Sequence, residues 1–119
     1  MIRSYQKIQI KTEVEFAGYD EDQKFFAHKY TIDIENDSPY SFQLLRRKWE
    51  ISDGLGWLKI VEGDGVIGQQ PIIHPGQSYS YDSWSPMPGT IGFMKGIFYC
   101  IDIETLKEFE LNVPLMTMI

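Results

Sequence analysis

The sequence predicts an all-β fold, an antiparallel β-sandwich of about seven to eight strands that forms one domain over residues 1–119. Apolar and polar residues alternate with a period of two in several segments, as expected for strands that bury one face. Short runs rich in Gly, Pro, Asn and Asp, which are turn formers, separate these segments. No window shows sustained apolar spacing of three and four residues, so long helices are not expected.

The first half of the chain contains four predicted strands. Ile8–Phe16 and Phe26–Ile34 alternate cleanly and should pair as a hairpin. A third strand follows the turn at Asn36–Pro39, and Trp57–Glu62 is a short fourth strand. The alternation in the third strand predicts one face made of Leu45, Arg47, Trp49 and Ile51, and an opposite face made of Leu44, Arg46, Lys48 and Glu50.

The segment 63–76 is rich in glycine and proline and should not be regular for long, although part of it can still be extended. Pro75-Gly76 suits a type II turn with glycine at the position of positive φ. Gln77–Trp84 alternates and is the predicted fifth strand. A turn is expected at Ser85–Gly89, which contains two prolines.

The segment Ile91–Ile103 is almost continuously apolar, which predicts a central strand buried on both sides. Cys100 lies on one face of it and should be a small core residue. Phe109–Val113 alternates as the last strand, and the packing of the apolar tail Leu115–Ile119, on its own domain or on a neighbour, is left open. Two stacked sheets would hide the apolar faces, as in immunoglobulin or fibronectin type III modules.

Charge and cysteine content exclude several classes of partner. The formal net charge of −6 opposes binding to nucleic acid or to an anionic membrane surface. The single cysteine cannot close a disulfide within the chain, and no apolar run follows the first residues. We therefore expect a cytoplasmic protein with neither a nucleic-acid nor a membrane partner.

The segment Gly63–Gly68 matches the G-x-G-x-x-G pattern of dinucleotide-binding loops. In such loops a helix follows at once and directs its N-terminal amides at the pyrophosphate, but the sequence after Gly68 contains Pro71 and Pro75 and cannot open a useful helix. A Rossmann fold is rejected. Two alternatives stay open: a nest of glycine amides that holds an anion, or glycines that only supply bends in a loop.

The chain offers few residues for catalysis or metal binding. With two histidines and one cysteine, we expect no catalytic set, no metal site and no cofactor. His28 alternates with apolar residues and should be a half-buried strand residue, whereas His74, in the proline-rich loop, is the better ligand candidate. Arg47 is predicted to point inward, where it snorkels to solvent, pairs with a carboxylate such as Asp53, or reaches a bound anion near the glycine loop.

Several elements in order resemble the ApaG-like domain family over about residues 8–113. The matching elements are Leu44–Asp53, Val61–Pro71, Pro75-Gly76, Tyr79–Tyr81 and Met94–Gly96. The resemblance implies a fibronectin type III-like β-sandwich. Members of the family occur as small bacterial proteins and as modules of eukaryotic F-box and polymerase-interacting proteins, where they resemble partner-binding domains.

Together, these observations predict a non-enzymatic binding module whose ligand is a protein partner. The alternative is a binder or sensor of a small anion, a nucleotide or pyrophosphate group, at the glycine-rich loop. The resemblance carries a ligand site over to Arg47, Gly63, Gly65, Gly68 and His74. A homo-oligomer is left open.

Overall fold

The computed structural model describes residues 2–119, so Met1 of the predicted domain lies outside the described residues. This part of the chain contains eight strands and no helix, and therefore no helix long and apolar enough to cross a membrane. The strands are β1 (Ile8–Asp20), β2 (Phe25–Asn36), β3 (Phe42–Ser52), β4 (Leu58–Asp64), β5 (Ile72–Ile73), β6 (Ser78–Met87), β7 (Gly92–Asp102) and β8 (Glu108–Met118).

The strands form two antiparallel sheets. The smaller sheet has the order β1-β2-β6, and the larger has the order β4-β3-β7-β8 with β5 paired to β3. The predicted all-β antiparallel sandwich is confirmed. Strand β1 packs near β8 and closes one side of the sandwich, whereas β4 and β6 are the edge strands on the other side.

The core lies between the sheets and is built by the period-two alternation. In β2 every second residue from His28 to Asn36 is buried, while the intervening residues are half-exposed. The largest fully buried apolar side chains come from both sheets, as a sandwich requires. They are Ile32, Ile34, Phe42, Leu44, Val66, Ile73, Met87, Met94, Phe98, Met116 and Met118.

The predicted facing of β3 is wrong at its start. Leu44 is fully buried and Leu45 is only half-buried, because a β-bulge between Leu44 and Arg46 inserts one unpaired residue into the ladder with β7. After the bulge the predicted alternation holds. Arg47, Trp49 and Ile51 all line the space between the sheets.

Strand β6 runs through the segment that was predicted to turn. Residues Ser85 to Met87 continue the ladder with β2, and Ser85 and Met87 are buried. Pro86 is tolerated because β6 is an edge strand. Its missing N–H removes no hydrogen bond to a second neighbouring strand. The predicted turn before β6 is confirmed: Gly76 has φ 80°, and the N–H of Gln77 donates to the carbonyl of His74 at 3.0 Å.

The apolar tail belongs to the domain itself. Strand β8 extends to Met118, pairs with β7, and buries Met116 and Met118 in the core. Strand β7 is central, as predicted, but it is not buried on both sides. Its inward residues are buried, and its outward residues, which include Phe93 and Lys95, are half-exposed or exposed.

A polar network joins the N-terminal segment to the turn between β7 and β8. The buried Asp102 carboxylate accepts hydrogen bonds from Arg3 Nη1 at 3.2 Å and Tyr5 OH at 2.8 Å through Oδ2. Its Oδ1 accepts from the N–H groups of Glu104 at 3.0 Å and Thr105 at 3.2 Å. Burial by itself would raise the pKa of this carboxyl, but these bonds and the Arg3 charge outweigh burial and hold the pKa below its ordinary value.

Candidate functional site

The glycine-rich segment forms a tight hairpin at the end of β4. The N–H of Val66 donates to the carbonyl of Gln69 at 2.8 Å, and the N–H of Gln69 donates back at 2.9 Å. Ile67 and Gly68 both have positive φ, 47° and 72°, as in a two-residue type I′ turn. The N–H of Gly65 donates to the carbonyl of Leu45 at 2.7 Å. Three amides of the segment are thus bonded within the protein, and they are not available to an anion.

Arg47 is held against this hairpin by backbone carbonyls. Its Nη1 donates to the carbonyl oxygens of Asp64 and Gly65, both at 3.0 Å. The expected pairing with Asp53 is wrong. Asp53 instead caps the turn after β3, where its Oδ1 accepts from the N–H groups of Leu55 at 2.8 Å and Trp57 at 3.0 Å.

The first two glycines of the pattern make room for neighbouring groups. A Cβ built on Gly63 would lie 2.8 Å from Arg47 Nη1. A Cβ on Gly65 would collide with the carbonyl oxygen of Gln69. At Gly65 the loop therefore needs glycine for steric reasons, without a bound ligand, whereas at Gly63 the neighbouring group is the end of the flexible Arg47 side chain, which can shift.

The five residues predicted for a ligand site do not converge. Arg47, Gly63 and Gly65 are in contact, and Gly68 lies in the adjoining turn, where a Cβ would meet nothing within 4 Å. His74 is exposed, and its Nδ1 lies 2.8 Å from the hydroxyl of Ser41. Ser41 is six residues before Arg47, about 20 Å along the strand direction. Within residues 2–119 no group of three or more His, Cys, Asp or Glu side chains is placed to hold a metal ion.

Two other chemically reactive groups lie in the core. Cys100 is fully buried, and burial raises the pKa of its thiol to about 12, so it is protonated and inert at neutral pH, as a core residue should be. The prediction that His28 is half-buried is wrong: its side chain is fully buried, and neither of its ring nitrogens has a hydrogen-bond partner among the described residues. Burial lowers the pKa of His28, so the folded protein holds it neutral.

We expect His28→Leu to stabilise the protein at acidic pH and to flatten the pH dependence of unfolding. With the pKa lowered in the folded state, the unfolded chain takes up a proton at His28 below about pH 6.5, and the folded chain does not. Wild-type stability should therefore fall as the pH drops below that value. Denaturant unfolding at several pH values between neutral and mildly acidic measures the slope. An equally steep slope in the variant would contradict the assignment.

The outward side of the larger sheet carries exposed apolar side chains from three strands. Leu58 and Ile60 on β4 are 62% and 46% exposed, and Leu115 on β8 is 60% exposed. Phe93 and Ile97 on β7 are half-exposed on the same side. We call these five residues the outer apolar face.

Two shallow depressions mark this face. Their volumes are about 340 and 400 Å³, and Glu50, Lys95 and Leu115 line both. Lys95 Nζ and Glu50 Oε2 form an ion pair at 3.3 Å, and this pair lies between the two depressions. One depression continues to Ile97 and the other to Phe93.

Comparison with known proteins agrees with this architecture. The model of the ApaG domain matches residues 17–102, which is more than half of the chain. The chain belongs to the ApaG domain family. The Protein ApaG of Chromohalobacter salexigens is 38% identical over 109 residues, which cover 89% of this chain and 85% of that relative.

Solved structures similar to this ApaG-family chain share the whole sandwich. An X-ray structure of a structural genomics target superposes with a TM-score of 0.91 at 25% identity, covering 98% of this chain and 88% of that one. The crystal structure of a Bordetella pertussis protein named ApaA superposes with a TM-score of 0.86 at 30% identity, covering 93% and 91%. The family resemblance drawn from the sequence is confirmed.

The outer apolar face was missed by pattern reasoning, although two signals for it exist in the sequence. The almost continuous apolar run of β7 indicated burial on both sides, but only one side is covered by the other sheet. In β4, Leu58 and Ile60 alternate with Lys59 and Val61, which lie on the inward side. In this ApaG-family sandwich, apolar residues on the outward positions of several strands of one sheet thus mark an uncovered face.

Proposed function

We propose that this ApaG-family protein is a non-enzymatic module that binds a protein partner through the outer apolar face. The observation that carries the proposal is the set of exposed apolar side chains on β4, β7 and β8 of the larger sheet, which lie on both sides of the outward polar residues of β3, with Leu58, Ile60 and Leu115 each close to half exposed or more. Monomeric proteins rarely expose contiguous apolar surface without a use for it.

The arrangement on this face resembles the anatomy of a protein interface. Apolar side chains lie on either side of the Glu50–Lys95 ion pair, and Lys48 lies beside one depression. Interfaces combine an apolar centre with polar and charged groups that fix orientation. A partner that places apolar side chains in the two depressions, with a polar group between them to meet the ion pair, fits this surface.

The non-enzymatic part of the proposal is supported by the state of the most reactive side chains. Cys100 and His28 are buried in the core, and His74 is exposed with the Ser41 hydroxyl as its neighbour. Among residues 2–119, no carboxylate is hydrogen-bonded to any of these three side chains to orient it for acid–base or nucleophilic chemistry.

The alternative function, nucleotide or pyrophosphate binding at the glycine-rich loop, has less support. The amides of Gly65, Val66 and Gln69 are bonded to backbone carbonyls, and Asp64 adds an exposed carboxylate in the same segment. Like charges oppose the approach of a phosphate.

The substitutions Leu58→Glu and Leu115→Glu should abolish partner capture and leave the fold intact. Both side chains are largely exposed, so the change costs little folding free energy, but it introduces a charge that an apolar partner surface would have to desolvate. Immobilised wild-type and variant proteins are compared for capture from a lysate, and each captured protein is then purified and its affinity measured by calorimetry.

Leu55→Glu is the matched control, because Leu55 is 91% exposed and lies in the turn between β3 and β4, away from the two depressions. This variant should bind the partner as the wild type does. If a purified partner binds the wild type and the three variants with equal affinity, the interface lies elsewhere on the protein. Turnover of a substrate by the purified protein would refute the non-enzymatic assignment.

A further inference from the structure

An open depression of about 530 Å³ lies on the smaller sheet, near the turn that joins β1 to β2. Residues of β1, of that turn, of β2 and of β6 line it, and none of them is Lys or Arg. The depression faces away from the core. His28 and Ser85 are buried between the sheets, so Ala27 and Trp84, which directly precede them on β2 and β6, face outward.

Two aromatic side chains stand beside small residues in this depression. Phe25 on β2 is half-exposed, and Trp84 on β6 is 60% exposed. Ala27 lies two residues after Phe25 on the same face of β2, diagonally across the ladder from Trp84. Ala17 and Gly18, at the β-bulge of β1, also have little or no side chain. The exposed indole therefore borders an open space that a flat group can enter.

The other lining side chains make the depression acidic. Asp20 and Glu21 line it. Asp20 Oδ1 accepts hydrogen bonds from the N–H groups of Asp22 at 2.9 Å and Gln23 at 3.0 Å, which hold this carboxylate in place. Residues 13–29 contain five carboxylates and two lysines. The resulting negative potential favours the approach of a cation.

The two lysines of this region leave the acidic side chains of the depression unpaired. Lys29 Nζ lies 3.2 Å from Asp82 Oδ2, and Lys24 is an exposed residue of the turn that does not line the depression. Among residues 2–119, neither Asp20 nor Glu21 forms an ion pair. Their charges are therefore available to a cation from another molecule.

The face of the Trp84 ring is also available. Elsewhere on its surface the chain stacks its own arginines on aromatic rings: the Arg3 guanidinium lies 4.5 Å from the centroid of Tyr40, and that of Arg46 lies 4.3 Å from the centroid of Tyr99. In the described part of the chain, no Lys or Arg is stacked on Trp84 in this way. Tryptophan is the aromatic side chain that attracts cations most strongly.

We propose that this depression is a second docking surface, which receives an arginine side chain from a basic segment of a partner protein. The guanidinium would stack on Trp84 and pair with the carboxylate of Asp20 or Glu21. Arginine fits better than lysine, because its planar guanidinium both stacks on aromatic rings and forms two parallel hydrogen bonds with a carboxylate. The surface lies on the smaller sheet and the outer apolar face lies on the larger one, so either proposal can fail without the other.

The test titrates isotope-labelled protein with a blocked peptide of alternating glycine and arginine, and follows the indole N–H resonance of Trp84 by NMR. That resonance is identified as the one missing from the spectrum of Trp84→Phe. We expect a saturable shift with the arginine peptide and about threefold weaker binding of the corresponding lysine peptide. The citrulline peptide, which has nearly the same shape without the charge, should give no saturable shift.

The variants Trp84→Leu and Trp84→Phe separate cation stacking from simple apolar contact. The side chain is 60% exposed, so neither change should unfold the protein. Leucine should weaken binding of the arginine peptide by about threefold, and phenylalanine should weaken it less, because only a ring attracts the cation through its π face. The backbone N–H resonance of Ala27, which lines the depression, reports binding in both variants.

The variant Glu21→Gln tests the role of the charge, and Glu108→Gln is its matched control. Both side chains are exposed and both changes remove one negative charge, but Glu108 lies on β8 of the other sheet. Only Glu21→Gln should weaken binding of the arginine peptide, by about threefold.

Four results would overturn the proposal. The first is the absence of a saturable shift with the arginine peptide, including the case in which choline, a small quaternary ammonium ion, binds instead. The second is equal affinity for the arginine and citrulline peptides. The third is unchanged affinity in Trp84→Leu. The fourth is an equal loss in Glu21→Gln and Glu108→Gln, which would show attraction to the overall charge of the chain alone.

Discussion

Replacing Asp102 with alanine should lower the free energy of unfolding by about 2–4 kcal/mol. The carboxylate is fully buried and accepts hydrogen bonds from Arg3, Tyr5 and two backbone N–H groups. Its removal leaves those donors without an acceptor and detaches the N-terminal segment from the turn between β7 and β8. Denaturant unfolding followed by tryptophan fluorescence measures the loss.

Glu104→Ala is the control for this prediction. Glu104 pairs with the same arginine at 2.6 Å, but its side chain is 79% exposed, so its removal should cost much less. Since the pKa of Asp102 is lowered in the folded state, its contribution is present at neutral pH and is lost as the pH falls below about 4. Similar losses in the two variants, or a loss for Asp102→Ala that persists at strongly acidic pH, would contradict this account.

Most of the fold could be predicted because strand periodicity is a local property. Each inward residue of β2 is two positions from the next, so the pattern is visible within a window of ten residues. The antiparallel sandwich then follows from the number of strands and the shortness of the turns between them.

The failures in the fold arose where a neighbouring strand decides the outcome. The bulge at Leu45 depends on the ladder with β7, more than fifty residues away, so period-two counting placed the wrong leucine in the core. Ser85–Met87 contains a proline, which predicts a turn locally, but the position is compatible with an edge strand. The network around Asp102 was not predicted, because its partners Arg3 and Tyr5 are almost a full chain length away.

The candidate sites were predictable only in part. The inward direction of Arg47 follows from alternation with Trp49 and Ile51, and the structure shows that Arg47 lines the space between the sheets. Its bonding partners did not follow, since backbone carbonyls carry no sequence signal.

Gly65→Ala should destabilise the protein by at least about 2 kcal/mol, well beyond the effect of Gly68→Ala. Both glycines have positive φ, 59° and 72°, so alanine brings the same backbone cost at each position. Only at Gly65 would the new Cβ collide with a backbone oxygen, that of Gln69, whereas at Gly68 it would meet nothing within 4 Å. Since that oxygen is itself bonded to the N–H of Val66, relief of the collision would open the hairpin and release the carbonyls that hold Arg47.

The comparison of these two variants decides why the pattern from Gly63 to Gly68 contains its glycines. If the glycines are needed for the hairpin, thermal unfolding without added ligand should show a larger loss of stability for Gly65→Ala than for Gly68→Ala. If the glycines instead form an anion-binding nest, the two variants should have nearly equal stabilities. Each should then lose only affinity for phosphate or nucleotide. Because the amides of Gly65, Val66 and Gln69 are already bonded inside the protein, we expect the first ranking.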